Sequence, residues 1–152
     1  MAAYDVLKFV HVLLAVTALG ANITYGVWLA RAAREPQHLE HVLRGLAWLD
    51  SRMANPSYIL LFVTGAGLVF AGRVSWQASW LLTAVVLYAA VAGLGIMGYA
   101  PLLRAQVAAL RRDGPAAASY RALEAKARRL GLAIVLLVVT IVFLMVTKPA
   151  LW

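Results

Sequence analysis

Four long apolar runs, covering roughly residues 5–30, 56–72, 78–103 and 130–147, alternate with short polar stretches along this chain of 152 residues. Each run approaches the ~20 residues that a helix needs to cross the ~30 Å hydrocarbon core of a bilayer. Because lipid offers no hydrogen-bond partners to the backbone, such segments span a membrane as helices. The sequence therefore predicts an all-α membrane protein, with a bundle of four transmembrane helices formed by residues 1–152 as a single domain.

The composition narrows the chemistry that the chain can perform. Hydrophobic residues make up 64% of it, against about 45–50% in a typical soluble domain. The absence of cysteine excludes disulfides, thiolate metal ligands and cysteine nucleophiles. The sequence also lacks a phosphate-binding glycine loop, paired carboxylates and a CxxCH haem-attachment motif, so nothing in it indicates hydrolysis or phosphoryl transfer of the soluble type.

The net charge of +8 is unevenly distributed. Basic residues crowd the first and third connections, whereas only Lys8, Arg73 and Lys148 lie toward the other side. The positive-inside rule predicts that these two connections are cytoplasmic and that both termini are outside, an N-out/C-out topology with cytoplasmic helical extensions. We therefore expect a multi-pass protein of the bacterial cytoplasmic (inner) membrane. Its basic rim would contact anionic lipid headgroups rather than nucleic acid, and a homo-oligomer is a candidate assembly.

The first connection carries clear signals for a helix break. The sequence predicts a first helix from about Tyr4 to Arg34, followed by a break and restart at Glu35-Pro36. Residues 36–52 predict an amphipathic cytoplasmic extension. Its shared apolar face consists of Leu39, Val42, Leu43, Leu46 and Leu49.

Prolines and glycines also mark the later helices. Pro56 predicts a bend in the second span, and residues 72–75 predict a short outer turn. The third helix is expected to run past Pro101 to about Asp113, and the fourth to end at Lys148-Pro149. Tryptophans typical of the membrane interface are Trp76, Trp80 and Trp152.

One stripe of the first helix is the strongest indication of a site. His11 is the only histidine within a span, and helical spacing places His11, Ala15, Ala18, Asn22 and Gly26 in line. An imidazole and an amide among small residues are predicted to face the bundle interior rather than lipid. His11 has two interpretations: an interfacial side chain bonded to a neighbouring group, or an axial ligand or proton carrier. The glycines of the spans are predicted to allow close helix packing.

Polar residues on the cytoplasmic side favour structural roles. Asp50 and Arg52 are predicted to join an ion-pair network, with Arg104 as a further member. His38 and His41 have a spacing that suits a metal, but two ligands do not make a metal site.

Four short patterns occur in order along the chain. They are Lys8-Phe9-Val10-His11, then Gly20-x-Asn22-x-Thr24, then Leu49-Asp50 with Pro56 and Gly65, and finally Leu144-Met145-Val146-x-Lys148-Pro149. Over nearly the whole chain, this set resembles the bacterial predicted integral membrane proteins of domain-of-unknown-function family 2269. The chain is also distantly similar to J-type protoporphyrinogen oxidase and to copper-resistance D membrane proteins. Similarity to the oxidase implies bound haem b, with functional residues at His11 and Lys148.

Two hypotheses of function follow. The first is a membrane protein that binds haem or another tetrapyrrole for redox chemistry. His11 would be the axial metal ligand, Lys148 would pair with a propionate, and Asn22 would help to shape the cofactor pocket. The alternative is a non-enzymatic membrane module without a cofactor, such as a small transporter subunit or an assembly partner, in which His11 is structural.

Overall fold

The computed structural model of the protein describes residues 2–71 and 74–152. Met1, Gly72 and Arg73 lie outside the described residues, so the predicted outer turn is described only from Val74 onward. All regular elements within the described ranges are helical. Four helical stretches in these ranges are long and apolar enough to cross a membrane. The predicted all-α membrane fold is confirmed, whereas the N-out/C-out orientation stays a prediction.

The first two stretches meet at the predicted break. Helix α1 spans Ala2–Ala32, a 3-10 turn spans Pro36–His38, and α2 spans Leu39–Leu49. Helix α2 then continues through a π-helical turn at Asp50–Ala54 into α3, Asn55–Phe70. The buried leucines of α2 are Leu39, Leu43 and Leu46, three of the five residues on the predicted apolar face.

The third stretch, like the second, consists of two α-helices joined by a π-helical turn, and the fourth is a single helix. Helix α4 spans Ser79–Gly93, a π-helical turn spans Leu94–Tyr99, and α5 spans Ala100–Asp113. Gly114 follows with a φ of 81°, a left-handed conformation that glycine adopts without steric cost. Helix α6 then spans Ala118–Thr147.

Both π turns have a local cause in a proline. The first ends at Ala54, two residues before Pro56, and the second ends at Tyr99, two residues before Pro101. A proline inside an α-helix lacks the N–H of its turn, and its ring collides with the carbonyl four residues back. A π turn widens the backbone and relieves that collision. The predicted disturbance at Pro56 therefore takes the form of an inserted π turn in a continuous helix.

Helix packing fixes which elements can share a site. Helix α1 packs along α3 and also touches α6, while α6 packs along α4 and α5. One core cluster, formed by Val91, Ile134 and Val138, lies between α4 and α6. A second joins α1, α2, α5 and α6 at the predicted cytoplasmic end, where Leu43 and Tyr120 are among its members.

Candidate functional site

His11 faces α3 in the half of the bundle that is predicted to be the outer one. Its Nδ1 atom lies 2.9 Å from the hydroxyl oxygen of Thr64. The neighbouring residue on α3 is Gly65, where an added Cβ would lie 3.1 Å from the Cε1 atom of His11. The imidazole therefore packs closely against Gly65, which agrees with the predicted inward orientation of His11.

The hydrogen bonds of Thr64 assign the tautomer of His11. The Thr64 hydroxyl donates its proton along its own helix, where Oγ1 lies 2.8 Å from the Leu60 carbonyl and 3.1 Å from that of Leu61. A hydroxyl has one proton, so when Thr64 directs it to one of these carbonyls its oxygen accepts from His11. The neutral ring is thus assigned a proton on Nδ1 and a free lone pair on Nε2.

Asn22 lies in a different environment from His11. Its Nδ2 group donates to the Ala18 carbonyl at 2.8 Å and to the hydroxyl of Tyr58. Eleven residues of helix separate Asn22 from His11, a distance of about 16 Å at the helical rise of ~1.5 Å per residue. The two residues share one helix and contact different parts of α3.

Lys148 belongs to the C-terminal tail, which docks on the start of α4. It ends α6 in a left-handed conformation, with its backbone N–H bonded to the Leu144 carbonyl at 2.9 Å. Its ammonium lies 5.7 Å from the ring centre of Trp80, within the range of a cation–π contact. Leu151 donates its backbone N–H to the buried hydroxyl of Ser79 at 3.0 Å. His11, Asn22 and Lys148 therefore occupy three separate environments.

The predicted stripe on α1 is correct except at its inner end. Ala18 is buried, and His11, Ala15 and Asn22 are half-buried, but Gly26 is exposed. Tyr25 is buried in place of Gly26. The buried positions of the second half of α1 fall on one flank of the stripe, away from Gly26, because that half packs beside α2 and α3. The prediction that Gly26 lies inside is thus wrong.

A cavity of about 310 Å³ opens between the helices in the half of the bundle that is predicted to be cytoplasmic. We call it the tyrosine pocket, because four tyrosines from four elements line it. Its full lining consists of Asn22, Tyr25, Asp50, Asn55, Tyr58, Ile59, Tyr88, Val91, Ala92, Gly95, Ile96, Tyr99 and Ile134. Both π turns contribute residues, so the two widened backbone segments meet at this one cavity.

Tyr58 organises one wall of the tyrosine pocket. Its hydroxyl accepts from Asn22, and its backbone carbonyl accepts from the hydroxyl of Tyr88 at 2.6 Å. Tyr25 differs, because it is only 5% exposed and its hydroxyl has no hydrogen-bond partner among the described residues. Buried polar groups are nearly always paired, so the Tyr25 hydroxyl is a candidate contact for a molecule in the pocket.

Asp50 is the acidic residue of the tyrosine pocket. Its Oδ2 atom accepts from the Asn55 side chain at 3.2 Å, and Tyr25, Tyr58 and Tyr99 line the same cavity. No arginine, lysine or histidine is found among the described residues that line the cavity. The carboxylate therefore faces aromatic and amide groups without a balancing cation.

The predicted network of Asp50 with Arg52 and Arg104 is wrong for the described part of the chain. Asp50 forms no ion pair there, and both arginines are exposed. The reason is the π turn, which begins at Asp50 and aims it into the bundle while Arg52 points outward. The ion pair that links α2 to α5, at the predicted cytoplasmic end, instead joins Arg111 to Glu40, with 2.6 Å between Nη2 and Oε1.

The glycines of the spans differ in what an added Cβ would contact. Gly65, Gly67 and Gly98 support the predicted packing role, since an added Cβ would lie 3.0–3.2 Å from a neighbouring side chain. At Gly26 and Gly95 the same Cβ would meet nothing within 4 Å. The packing prediction is therefore wrong for these two, and Gly95 opens onto the tyrosine pocket.

A second cleft, of about 390 Å³, lies at the elbow between α1 and α2. Trp28, Arg31, His38 and His41 are among the residues that line it, and His38 lies 3.9 Å from Glu35. Across residues 2–71 and 74–152, no group of three or more His, Cys, Asp and Glu side chains is placed to hold a metal ion. The elbow thus presents mixed charges at the predicted cytoplasmic interface.

Four long apolar helices with polar groups turned inward define a multi-pass integral membrane protein. Comparison with protein families gives the more specific identity. The family described as "Predicted integral membrane protein (DUF2269)" matches residues 5–149, and the chain belongs to this family. Comparisons with curated proteins and with solved structures gave no match. The distant similarity to J-type protoporphyrinogen oxidase and copper-resistance D proteins stays a prediction.

Proposed function

We propose that this protein is a non-enzymatic membrane module that binds a small molecule inside its bundle, as a transporter subunit does. The tyrosine pocket is the binding site. The observation that carries this proposal is the convergence of two π turns, from two different membrane-spanning stretches, on one cavity that holds an unbalanced carboxylate.

The two π turns support a ligand site because both contribute residues to the same cavity. π-helical turns are rare and often occur at functional sites, where they displace side chains from ordinary helical positions. Here they place Asp50 on one side of the cavity and Gly95 and Tyr99 on the other. A proline explains why each turn forms, and the pocket is where the two displacements coincide.

The dimensions and lining of the pocket also suit a small ligand. Ligand sites are commonly apolar cavities of about 300–1,000 Å³ with a few polar groups, and in bundles they lie between helices. The tyrosine pocket has a volume near the lower end of this range. Its aliphatic wall includes Val91 and Ile134, and its polar groups include the unpartnered hydroxyl of Tyr25.

Filling the pocket at Gly95 tests this proposal. An added Cβ there would meet nothing within 4 Å, so we expect Gly95→Leu to fold with its side chain in part of the cavity. Thermal unfolding of purified protein would be measured against a panel of small amines, alcohols and carboxylates. A ligand at about 100 times its Kd adds ~2.7 kcal/mol to the free energy of unfolding. We expect such stabilisation for wild type and its loss in Gly95→Leu.

The matched control is Gly26→Leu, since Gly26 also faces open space but lies exposed on α1, away from the cavity. It should respond to ligands as wild type does. If every stabilising compound acts equally on the Gly95 and Gly26 variants, or if no compound stabilises wild type, the tyrosine pocket is not the ligand site.

A second candidate function is binding of haem b at His11, and the contact between His11 Nδ1 and the Thr64 hydroxyl is the observation that favours it. Histidines that ligate metals usually donate their other ring N–H to an acceptor, which fixes the ring and the tautomer. Thr64 provides this acceptor and leaves Nε2 free to hold iron. A bound haem would supply one-electron redox chemistry, and the residues for this would be His11 and Thr64.

The other two residues predicted for haem fit it less well than His11. Asn22 contacts Tyr58 about 16 Å further along α1, and the ammonium of Lys148 lies over Trp80. His11 is also absent from the described linings of both cavities. Any cofactor at His11 would therefore lie toward the outer surface of the bundle or between two copies of the chain.

Adding haem to the purified protein tests whether His11 is an iron ligand. If His11 holds iron, purified protein should develop a Soret band that His11→Ala abolishes, because this variant removes the axial ligand. Thr64→Val should weaken haem affinity by about 10–100-fold through loss of the orienting acceptor. The control is Thr140→Val, whose hydroxyl bonds only its own helix, at the Leu136 carbonyl, on an exposed face. A colourless wild-type protein after haem addition would eliminate this candidate.

The setting that we propose for either function is the bacterial cytoplasmic membrane. The basic connections would lie against anionic headgroups, whose attraction amounts to about 1 kcal/mol per Lys or Arg near the surface. The elbow cleft beside Trp28 and Arg31 lies where such headgroups would sit, since tryptophan and arginine both favour the interface.

A further inference from the structure

The charge balance of the tyrosine pocket limits what can occupy it. Asp50 is the charged residue among its described lining, and one carboxylate oxygen, Oδ1, has no hydrogen bond within residues 2–71 and 74–152. Asp50 is half-buried, and an ionised carboxylate that is partly withdrawn from water loses hydration energy unless a positive charge or hydrogen bonds compensate it. Asn55 supplies one hydrogen bond and no charge.

We propose that the pocket binds an organic cation, a protonated amine whose ammonium group contacts the Asp50 carboxylate. This inference rests on the proposed function of the pocket and adds the chemical class of its ligand. The ligand brings the positive charge that the lining of the pocket lacks.

The N–H donors of an ammonium group suit the acceptors that the pocket offers. A primary ammonium has three N–H donors and no acceptor. Asp50 Oδ1 and the Tyr25 hydroxyl oxygen are acceptors without described partners. The aromatic rings of Tyr58 and Tyr99 line the same cavity and attract cations through their electron-rich faces. The aliphatic wall, including Ile134, then receives the hydrocarbon part of the ligand.

Other occupants fit these groups poorly. An anion would be repelled by Asp50 and would find no cationic side chain among the described lining residues. A bare divalent cation needs about six oxygen ligands, whereas the pocket offers one carboxylate. A neutral molecule would fill the volume but would leave the charge of Asp50 uncompensated.

Two probes of the same shape test the proposal. Benzylammonium and benzyl alcohol share one ring and one methylene and differ in charge. Isothermal titration of the full-length protein in detergent would give Kd for each, with sodium chloride as the inorganic control. We expect benzylammonium to bind wild type more tightly than benzyl alcohol by about 10-fold or more, and Gly95→Leu to bind neither.

Two substitutions then locate the charge recognition. Asp50→Asn keeps the shape of the side chain and should weaken benzylammonium by about 10- to 100-fold, while benzyl alcohol changes little. Tyr25→Phe removes an acceptor and should weaken benzylammonium by about 2- to 12-fold. Because the Tyr25 hydroxyl has no described partner in the protein, Tyr25→Phe should unfold at the same temperature as wild type.

The outcomes separate this inference from the proposed function. If both probes bind with equal affinity and Gly95→Leu abolishes both, the pocket is a ligand site but does not select cations. If Asp50→Asn affects the two probes equally, or sodium competes as strongly as benzylammonium, the carboxylate does not recognise an ammonium group. If neither probe binds in a way that depends on Gly95, and no compound of the wider panel stabilises wild type, the proposed function fails as well.

Discussion

Replacing Leu43 with alanine is expected to lower the free energy of unfolding by about 2–5 kcal/mol, the usual range for a large aliphatic side chain removed from a tight core. Leu43 has 0% of its surface exposed. It belongs to the cluster that joins α2 to α1, α5 and α6, where its neighbours include Leu103, Leu110 and Tyr120. The substitution would leave a cavity where four helices meet.

The position of this cluster makes the effect large. In the lipid-facing part of the bundle, leucine gains little from burial because lipid tails are as apolar as protein. The cluster around Leu43 lies at the predicted cytoplasmic end, where unfolding exposes apolar surface to water and the hydrophobic effect opposes it.

Denaturant-induced unfolding of the purified protein in detergent would measure the difference. The matched control is Leu132→Ala, since Leu132 is 61% exposed on α6 and should change stability by about 0.5 kcal/mol or less. Equal losses for the two variants would contradict a water-excluded core at Leu43.

The helices were predictable because their signals are local and strong. A run of some 20 apolar residues has one structural solution in lipid, and Pro36 marks the restart of a helix at its first position. The buried face of α2 at Leu39, Leu43 and Leu46 follows from helical periodicity. Each of these inferences uses only residues that are near neighbours in the chain.

The tyrosine pocket could not be predicted from the same signals. Its tyrosines lie far apart in the sequence, and only the packing of α1, α3 and α4 brings Tyr25, Tyr58 and Tyr88 together. The sequence contains one partial signal of the pocket, because it predicts that Asn22 faces inward. It does not indicate that Tyr58 is the partner of Asn22. The direction in which the Asp50 side chain points depends on a π turn. A proline permits such a turn but does not by itself specify it.

The prediction for the end of the α1 stripe at Gly26 was wrong for a related reason. Counting along a helix identifies a line of residues, but the partner helix decides which flank of that line is covered. At Gly26 the line had left the packed face, and Tyr25 on the adjacent flank was buried.

The Gly65→Leu variant is expected to displace His11 from Thr64 and to destabilise the protein by about 1–3 kcal/mol, as overpacking of a filled site does. The Cβ alone would lie 3.1 Å from the Cε1 atom of His11, closer than carbon atoms in van der Waals contact at about 3.5–4.0 Å. The rest of the leucine side chain would need the space that the imidazole occupies. The ring must therefore rotate and lose its hydrogen bond to Thr64.

The nitrogen NMR signals of His11 provide a readout that a general loss of stability would not change in the same way. Wild type should show the neutral tautomer with the proton on Nδ1, because Thr64 accepts that proton, and Gly65→Leu should show a mixture of tautomers. The control is Gly20→Leu on α1, where an added Cβ would meet nothing within 4 Å and the tautomer should not change. A Gly65→Leu protein with wild-type stability and an unchanged His11 signal would show that the imidazole does not pack at Gly65. A wild-type signal from the tautomer protonated on Nε2 would instead overturn the tautomer assignment, on which the haem candidate depends.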